Sequence, residues 1–189
     1  IIKENKIQLC EELNIPKDAI LILSVGELNA NKNHKIVIEI LPELPNNVHY
    51  LMCGDGQLKE QHERLAKKLH VSDRLHFLGY RKDVIKIMKS CDIFVFPSKR
   101  EGLSVALMEA MACGLPCVVS KIRGNEDLIE NEKGGYCVDL ENESFNIYIN
   151  KILELDLSRS MAAFNYNKVS NYSIKKVNLK MREIYERNE

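Results

Sequence analysis

Two glutamates eight positions apart, Glu101 and Glu109, flank the start of a predicted helix. Ser104 is suited to cap that helix, because a serine oxygen accepts hydrogen bonds from first-turn amides, and Gly114 suits its left-handed end. The free amides of the first turn point outward at the positive end of the helix dipole, which favours an anion, most naturally a phosphate. These amides belong to Gly102, Leu103, Ser104 and Val105. Gly102 has no Cβ, so a ligand can approach its backbone closely.

The two carboxylates would repel a phosphate placed directly on them, so they are better explained as acceptors for hydroxyl groups on either side of it. A nucleotide sugar carries its sugar, diphosphate and ribose in that order. We therefore expect Glu101 to accept from the sugar hydroxyls and Glu109 from the ribose diol. Taken singly, each glutamate is also explained as a solvated surface charge. Glu109, however, lies in an otherwise apolar stretch, where an ionised group needs a partner.

Five short apolar runs, each followed by a Gly, Pro or Ser, alternate with longer stretches of helical periodicity. The predicted strands are residues 20–25, 48–53, 75–78, 93–96 and 116–119, and the predicted helices are residues 35–44, 58–69, 84–90 and 105–112. This alternation predicts a Rossmann-like α/β fold, with a parallel sheet covered by helices on both faces. Such sheets bind ligands beyond the carboxyl ends of their strands, which is where the Glu101 loop lies.

A longer pattern surrounds the two glutamates: Phe-Pro-Ser-x-x-Glu-Gly, then Glu-Ala-Met-Ala-x-Gly-x-Pro, over residues 96–116. It resembles the signature of the retaining GT-B glycosyltransferases of family four, the group one transferases. The resemblance continues, in the same order, through residues 25–28, 53–56, 77–80 and 135–138. It implies that Glu101 faces the donor sugar and that Glu109 binds the ribose. The amides of Gly102, Leu103 and Ser104 would hold the diphosphate.

The resemblance also assigns roles in the loop after the first strand. Group one transferases commonly place an Arg directly after the glycine that corresponds to Gly26, and a Lys five positions later. Both cations neutralise the diphosphate leaving group. Lys32 matches the pattern, and the resemblance implies that Lys32 and Glu101 are the catalytic residues, whereas Glu27 stands at the Arg position. Either a neighbouring cation compensates or Glu27 contacts a substrate hydroxyl. The candidate cations are Arg81, Lys99, Arg100 and Lys121.

Two further loops supply candidate donor-binding residues. Gly54 forms a tight turn after the second strand, and it is explained equally well as a plain turn. Tyr80 and Arg81 follow the third strand, where the family often contacts the base, and they could also simply line the surface. Gly124 is assigned to a helix N-terminus without a ligand role. The histidines at positions 34, 49, 62, 70 and 76 are assigned structural roles.

The length, charge and cysteine content of the chain exclude several other classes of protein. The 189 residues include 27 basic and 27 acidic side chains and are 45% hydrophobic, which fits one globular domain and disfavours nucleic-acid binding. No apolar run approaches the roughly 18 residues of a membrane span. The six cysteines lie in or beside apolar segments and form no Cys-x-x-Cys pair, so we predict reduced thiols, a cytoplasmic location and no zinc site.

The resemblance implies that residues 1–189 form a single nucleotide-sugar-binding domain, the C-terminal half of a GT-B enzyme. Its α/β core would span about residues 16–142 and its C-terminal helices residues 143–189. An N-terminal acceptor domain would be absent from this chain, which alone would be inactive in transfer. Residues 158–182 carry six basic residues and no acidic one, consistent with peripheral contact at the inner face of the plasma membrane or with a solvated face.

The expected function is binding of a UDP- or GDP-sugar and, together with the other domain, transfer of a hexose-type sugar to a glycan or lipid-linked acceptor. The resemblance implies retention of configuration without a cofactor or metal ion, often in bacterial envelope biosynthesis. The absence of an Asp-x-Asp motif is consistent with this. Two alternatives are a catalytically silent nucleotide-sugar-binding module, favoured by Glu27, and a nucleotide-sugar epimerase. An NAD site is disfavoured, because no Gly-x-Gly-x-x-Gly follows the first strand.

Overall fold

The computed structural model of the chain describes residues 4–155 and 158–186. Its strands are β1 (Ile20–Val25), β2 (Val48–Cys53), β3 (Leu75–Gly79), β4 (Ile93–Phe96), β5 (Cys117–Ser120) and β6 (Gly135–Val138). They form one sheet of six strands in the order β3-β2-β1-β4-β5-β6. Every pair of neighbouring strands in this sheet is parallel, which confirms the predicted α/β fold.

The helices follow the strands, as repeated βα units require. They are α1 (Glu4–Leu13), α2 (Lys35–Ile40), α3 (Lys59–Lys68), α4 (Val84–Ser90), α5 (Val105–Ala112), α6 (Arg123–Glu126), α7 (Asn142–Leu155), α8 (Ser158–Val169) and α9 (Ile174–Glu186). The bounds of α4 and α5 are those predicted. α2 is shorter than predicted, because its last turn tightens into a 3-10 helix, Leu41–Glu43, that contains Pro42.

The strand order reverses at the centre of the sheet, where β1 has β2 on one side and β4 on the other. In open α/β sheets this reversal leaves a crevice beyond the carboxyl ends of the two central strands. The loops that leave β1 and β4 therefore begin at the same edge, although 69 residues separate Lys32 in one from Glu101 in the other.

Two hydrophobic cores cover the faces of the sheet. One core joins β1 and β2 residues to α2, α3 and α7, and the other joins the opposite side chains of those strands to α1, α4 and α5. Residues alternate between the cores along β1: Ile22 belongs to the first, and Leu21 and Leu23 to the second. Burial on both faces explains why the strand sequences are almost continuously apolar.

Four observations refine or confirm the sequence-based expectations. β6 is a sixth strand beside the five predicted, and its four residues, Gly-Tyr-Cys-Val, contain no long apolar run. α1 packs onto α4, and its Lys6 Nζ lies 2.7 Å from Asp92 Oδ2. The predicted helical segment 143–189 is helical where it is described; residues 156–157 and 187–189, like residues 1–3, lie outside the described residues. The six cysteines all lie within the described residues as thiols, outside any disulfide, and four of them are buried.

Among the described helices, none combines the length and the apolar character that crossing a bilayer requires.

Candidate active site

The start of α5 has the geometry expected of an anion-binding helix. Ser104 has an extended backbone, and its Oγ accepts a hydrogen bond from the Leu107 amide at 3.4 Å, as a cap residue should. Within residues 4–155 and 158–186, the amides of Gly102 and Leu103 have no hydrogen-bond acceptor, and both residues are exposed. The Ser104 and Val105 amides are likewise unpaired there. The first turn thus presents several donors in one direction.

The two side chains predicted to be catalytic contact each other. Lys32 Nζ lies 2.7 Å from Glu101 Oε1, and the two side chains are only 19% and 13% exposed. Lys32 Nζ also lies 4.6 Å from the centroid of the Phe96 ring. An ammonium in such a shielded position interacts more strongly with nearby anions than one in open water does. The pair therefore places one positive and one negative group beside the α5 amides.

Two hydrogen bonds, one between backbone groups and one from a side chain, join the loops that carry this pair. The Lys99 amide donates to Asn31 O at 2.8 Å, and Asn31 Nδ2 donates to Arg100 O at 2.9 Å. Gly26 makes room for the lysine, because a Cβ there would lie 2.9 Å from Lys32 Cε, and its φ of +151° also disfavours a side chain. The Lys32 side chain therefore occupies space that Gly26 leaves open and is held by Glu101 of the β4–α5 loop.

A pocket of about 400 Å³ lies at the carboxyl ends of β1, β2 and β3, and five of the predicted donor-binding residues line it. These are Gly26, Glu27, Gly54, Tyr80 and Arg81. Tyr80 is 84% exposed, so its ring is free to cover a planar group. The pocket has the volume usual for a small-molecule site. Because Gly26 borders both this pocket and Lys32, the two parts of the site are contiguous.

Glu27 and Arg81 do not form a phosphate clamp. The Glu27 carboxylate is exposed and accepts a hydrogen bond from Asn29 Nδ2 at 2.9 Å. Arg81 Nε donates a hydrogen bond to Asp83 Oδ1 at 2.8 Å, and the guanidinium also forms an ion pair with Glu12 of α1. Its hydrogen bonds hold the pKa of the Asp83 carboxyl down at about 2, so Asp83 is ionised at neutral pH. Of the four cations considered as substitutes for the missing arginine, Arg81 is thus already neutralised.

Glu109 lies in the second turn of α5 and is half-buried. Within the described part of the chain its carboxylate has neither an ion pair nor a hydrogen bond. A half-buried carboxylate on an apolar helix is costly unless something donates to it. Its position is consistent with the ribose contact that sequence analysis predicted.

Helix α6 has a role that the sequence pattern did not indicate. Gly124 is buried against the Glu101 loop, and a Cβ there would lie 1.9 Å from Gly102 O and 2.9 Å from Glu101 O. Asn125 Nδ2 donates to Ser120 O at 2.9 Å, which fixes α6 on the end of β5. The sequence correctly predicted the start of a helix near Gly124. It did not predict that this helix packs against the Glu101 loop and supports it. The signal available was a glycine in the first turn of the segment that follows β5, at the ligand-binding edge of the sheet.

A buried hydrogen-bond chain anchors the other loop. Tyr50 OH donates to Ser24 Oγ at 2.8 Å and lies 3.0 Å from His34 Nδ1, so that nitrogen carries the proton. Ser24 in turn donates to Val95 O. Burial lowers the pKa of His34 to about 3, which keeps the ring neutral. The chain joins the start of α2, just after Lys32, to β1, β2 and β4, and it supports the structural role predicted for this histidine.

No three His, Cys, Asp or Glu side chains converge on a possible metal position within the described ranges.

Residues 5–169 match the family model for glycosyl transferases group 1. The chain belongs to this family. Over 191 aligned residues it is 31% identical to the Escherichia coli UDP-Gal:alpha-D-GlcNAc-diphosphoundecaprenol alpha-1,3-galactosyltransferase, covering 96% of this chain and 49% of that enzyme. It is 32% identical over 124 residues, 65% of the chain, to a Campylobacter jejuni N-acetylgalactosaminyltransferase that acts on a diphospho-undecaprenol-linked sugar; these residues cover 34% of that enzyme. The chain thus spans half or less of the length of these relatives.

Solved structures agree on the fold of this group 1 glycosyl transferase chain. HepE from Anabaena, crystallised with UDP and glucose, superposes with a TM-score of 0.88 at 24% identity, over 96% of this chain and 52% of HepE. The C-terminal domain of the group 1 protein LpcC from Francisella tularensis gives 0.79 at 20% identity, over 91% of this chain and 95% of that domain. The chain therefore has the fold of a GT-B C-terminal domain.

Proposed function

We propose that the chain binds a UDP-sugar and forms the donor half of a retaining hexosyltransferase. The diphosphate would accept hydrogen bonds from Gly102, Leu103 and Ser104, while Glu109 accepts from the ribose and Glu101 from the sugar. The observation that carries the proposal is the shielded contact between Lys32 and Glu101, 2.7 Å long, beside the unpaired α5 amides. This arrangement supplies positive charge for a diphosphate and an acceptor for hydroxyls within one short stretch of surface.

Lys32 has a defined task in this reaction. When the bond between the sugar and the diphosphate breaks, negative charge grows on the leaving phosphate. Donors already aimed at that position stabilise the charge without reorganising. A bound diphosphate would compete with Glu101 for Lys32, and Glu101 would then be free to accept from the sugar. The proposal assigns this electrostatic work to Lys32 and the α5 amides and requires no metal ion.

The pocket beside Gly26 is proposed to hold the nucleoside, with Tyr80 covering the base. Gly54, Arg81 and Glu27 form its walls. The choice of uracil is supported by the HepE complex with UDP and by the UDP-Gal donor named for the Escherichia coli relative.

The acceptor is proposed to be a lipid-linked glycan, because two of the relatives act on sugars carried by diphospho-undecaprenol. Transfer would then occur where the chain meets the inner face of the plasma membrane. Since the chain spans 49% of the Escherichia coli enzyme, we propose that transfer needs a second domain as well.

A second candidate, a nucleotide-sugar-binding module without transferase activity, is favoured by one observation. Glu27 replaces a cation, and Arg81, its nearest substitute in the pocket, is neutralised by Glu12 and Asp83. A weakened clamp would still bind a donor but would stabilise the leaving group less.

Calorimetric titration of the chain with UDP, UMP and GDP tests donor binding. Glu109→Gln should weaken UDP and UMP by a similar factor, about tenfold or more, because both contain the ribose that Glu109 would contact. Glu60→Gln, at an exposed position on α3, is the matched control and should leave both affinities unchanged. If none of the three nucleotides binds, the proposal is wrong.

A further inference from the structure

An exposed arginine, Arg123, lies beside the β4–α5 loop as the first residue of α6. Its guanidinium has neither an ion pair nor a hydrogen bond within residues 4–155 and 158–186. Asp127, one helical turn away, donates its amide to Arg123 O, but the two side chains form no ion pair in that part of the chain. The positive charge of Arg123 is therefore available to a ligand.

The residue that follows Arg123 packs directly on the proposed diphosphate-binding loop. A Cβ at Gly124 would lie 1.9 Å from Gly102 O and 2.9 Å from Glu101 O, so the two backbones are in contact. Consecutive Cα atoms are about 3.8 Å apart, which puts the base of the Arg123 side chain one residue from this contact. Because arginine carries its charge at the end of a flexible chain of methylene groups, the guanidinium can reach the space beside the Gly102 amide.

Buried hydrogen bonds hold α6 in this position. Asn125 Nδ2 lies 2.9 Å from Ser120 O and 3.2 Å from Ser120 Oγ, and both residues are buried. Ser120 Oγ in turn donates to the carbonyl oxygen of Ser98, in the β4–α5 loop. The end of β5, α6 and the loop that carries Glu101 are therefore joined by one hydrogen-bond network, so Arg123 extends from a fixed support.

The strand order places this support on the opposite side of the loop from Lys32. β4 lies between β1 and β5, so the loop that leaves β4 has the β1–α2 loop on one side and α6 on the other. Lys32 contacts Glu101 from the first side, with Nζ 2.7 Å from Oε1, and Gly124 contacts Gly102 from the second. A diphosphate on the α5 amides would thus have a cation on each side.

The groups already assigned to the site supply little net positive charge. Lys32 is paired with Glu101, Glu27 adds a negative charge, and the Arg81 guanidinium is neutralised by two carboxylates. A nucleoside diphosphate carries more than one negative charge near neutral pH. A second cation is therefore needed to balance it, and the planar donors of a guanidinium match the oxygens of a phosphate.

We propose that Arg123 is a further donor-binding residue, which contacts the β-phosphate of the nucleoside diphosphate from the α6 side of the loop. The inference rests on the proposed function, because it uses the same diphosphate position on the α5 amides. The β-phosphate keeps the electron pair when its bond to the sugar breaks, so the contact with the guanidinium would strengthen as the sugar is transferred.

Calorimetric titration of the chain with UDP and UMP tests this assignment. Arg123→Gln should weaken UDP about tenfold and UMP by less than about twofold, because UMP lacks the β-phosphate. Arg123→Lys keeps the charge and should weaken UDP only about threefold. Arg64→Gln removes the same charge at a 74% exposed side chain on α3; it is the matched control and should change neither affinity. Equal losses of UDP and UMP in Arg123→Gln would overturn the proposal.

A double variant separates a contact with phosphate from support of the loop. Glu27→Arg should raise UDP affinity by a larger factor in the Arg123→Gln chain than in the wild type, because the added cation then meets a less neutralised anion. An equal gain in both backgrounds would mean that Arg123 acts only through the loop and would overturn the proposal. If the wild-type chain binds neither nucleotide, the proposed function is wrong. If it binds both and Arg123→Gln binds UDP equally well, only the role of Arg123 is excluded.

Discussion

Two ion pairs at the same edge of the sheet differ in their surroundings. Lys32 and Glu101 are 19% and 13% exposed, and the ammonium lies against the Phe96 ring. Arg81 and its partners Glu12 and Asp83 are 23%, 48% and 43% exposed. Exposed pairs contribute about 0 to 1 kcal/mol, since water and salt screen them. We propose that the shielded pair serves to bind an anion, whereas the exposed pair mainly joins α1 to the sheet edge.

The strongest test of this difference removes the cation from each pair. Lys32→Ala should lower UDP affinity about 10- to 100-fold, because a shielded, charge-assisted hydrogen bond to the diphosphate is lost. Arg81→Ala should lower it by less than about fivefold, because its charge is already neutralised. Calorimetric titration of both variants measures the contrast. Equal losses would mean that burial does not distinguish the two pairs.

The support beneath the shielded pair offers a second test. Gly124→Ala places a methyl group against the carbonyl oxygen of Gly102, 1.9 Å from the ideal Cβ, so the exposed loop must move. We expect UDP affinity to fall about tenfold, with the fold retained. Gly114→Ala is the control: its φ of +74° makes it cost stability, about 1 kcal/mol, without changing affinity. A Gly124→Ala chain that binds UDP normally would show that α6 does not position the loop.

A third test introduces a cation at Glu27, in the pocket that contains the exposed Arg81 pair. Glu27→Arg should raise UDP affinity about three- to tenfold, since a positive charge replaces a negative one near the diphosphate path. Glu27→Gln should give a smaller gain. Surface plasmon resonance at two salt concentrations measures both. A loss in both variants would instead indicate that the Glu27 carboxylate accepts from a substrate hydroxyl.

The smallest effect concerns the buried chain below the Lys32 loop. The pKa of His34 is lowered to about 3 by burial, so between that value and the ordinary pKa of about 6.5 the unfolded chain binds more protons than the folded chain. Stability should therefore fall as the pH falls, by somewhat under about 1 kcal/mol between pH 7 and pH 6. Urea unfolding of wild type and His34→Gln measures it, and an unchanged slope in the variant would contradict the assignment.

Much of this architecture could be predicted from the sequence, because its signals are local. The apolar run at Ile20–Val25 and the Ser104 and Gly114 caps predicted β1 and α5 correctly. β6 was missed because its pairing with β5, rather than its own four residues, makes it a strand. Local patterns define elements well and strand partners poorly.

The candidate site depends on contacts between distant segments, and these explain what the sequence could not reveal. Glu101 and Lys32 were each identified, yet their mutual contact spans 69 positions and follows from the strand order. The neutralisation of Arg81 by Glu12 also spans 69 positions and depends on α1, which sequence analysis did not describe. The sequence around Gly124 indicates only that it lies at the start of a helix, whereas its close packing against the Gly102 carbonyl depends on a distant loop.

A crystal structure of the chain soaked with UDP tests the central claim most directly. The account predicts the β-phosphate within hydrogen-bonding distance of the Gly102, Leu103 and Ser104 amides, the ribose on Glu109, and Lys32 Nζ moved from Glu101 towards the phosphate. A diphosphate bound away from the start of α5, with the contact between Lys32 and Glu101 unchanged at 2.7 Å, would contradict it.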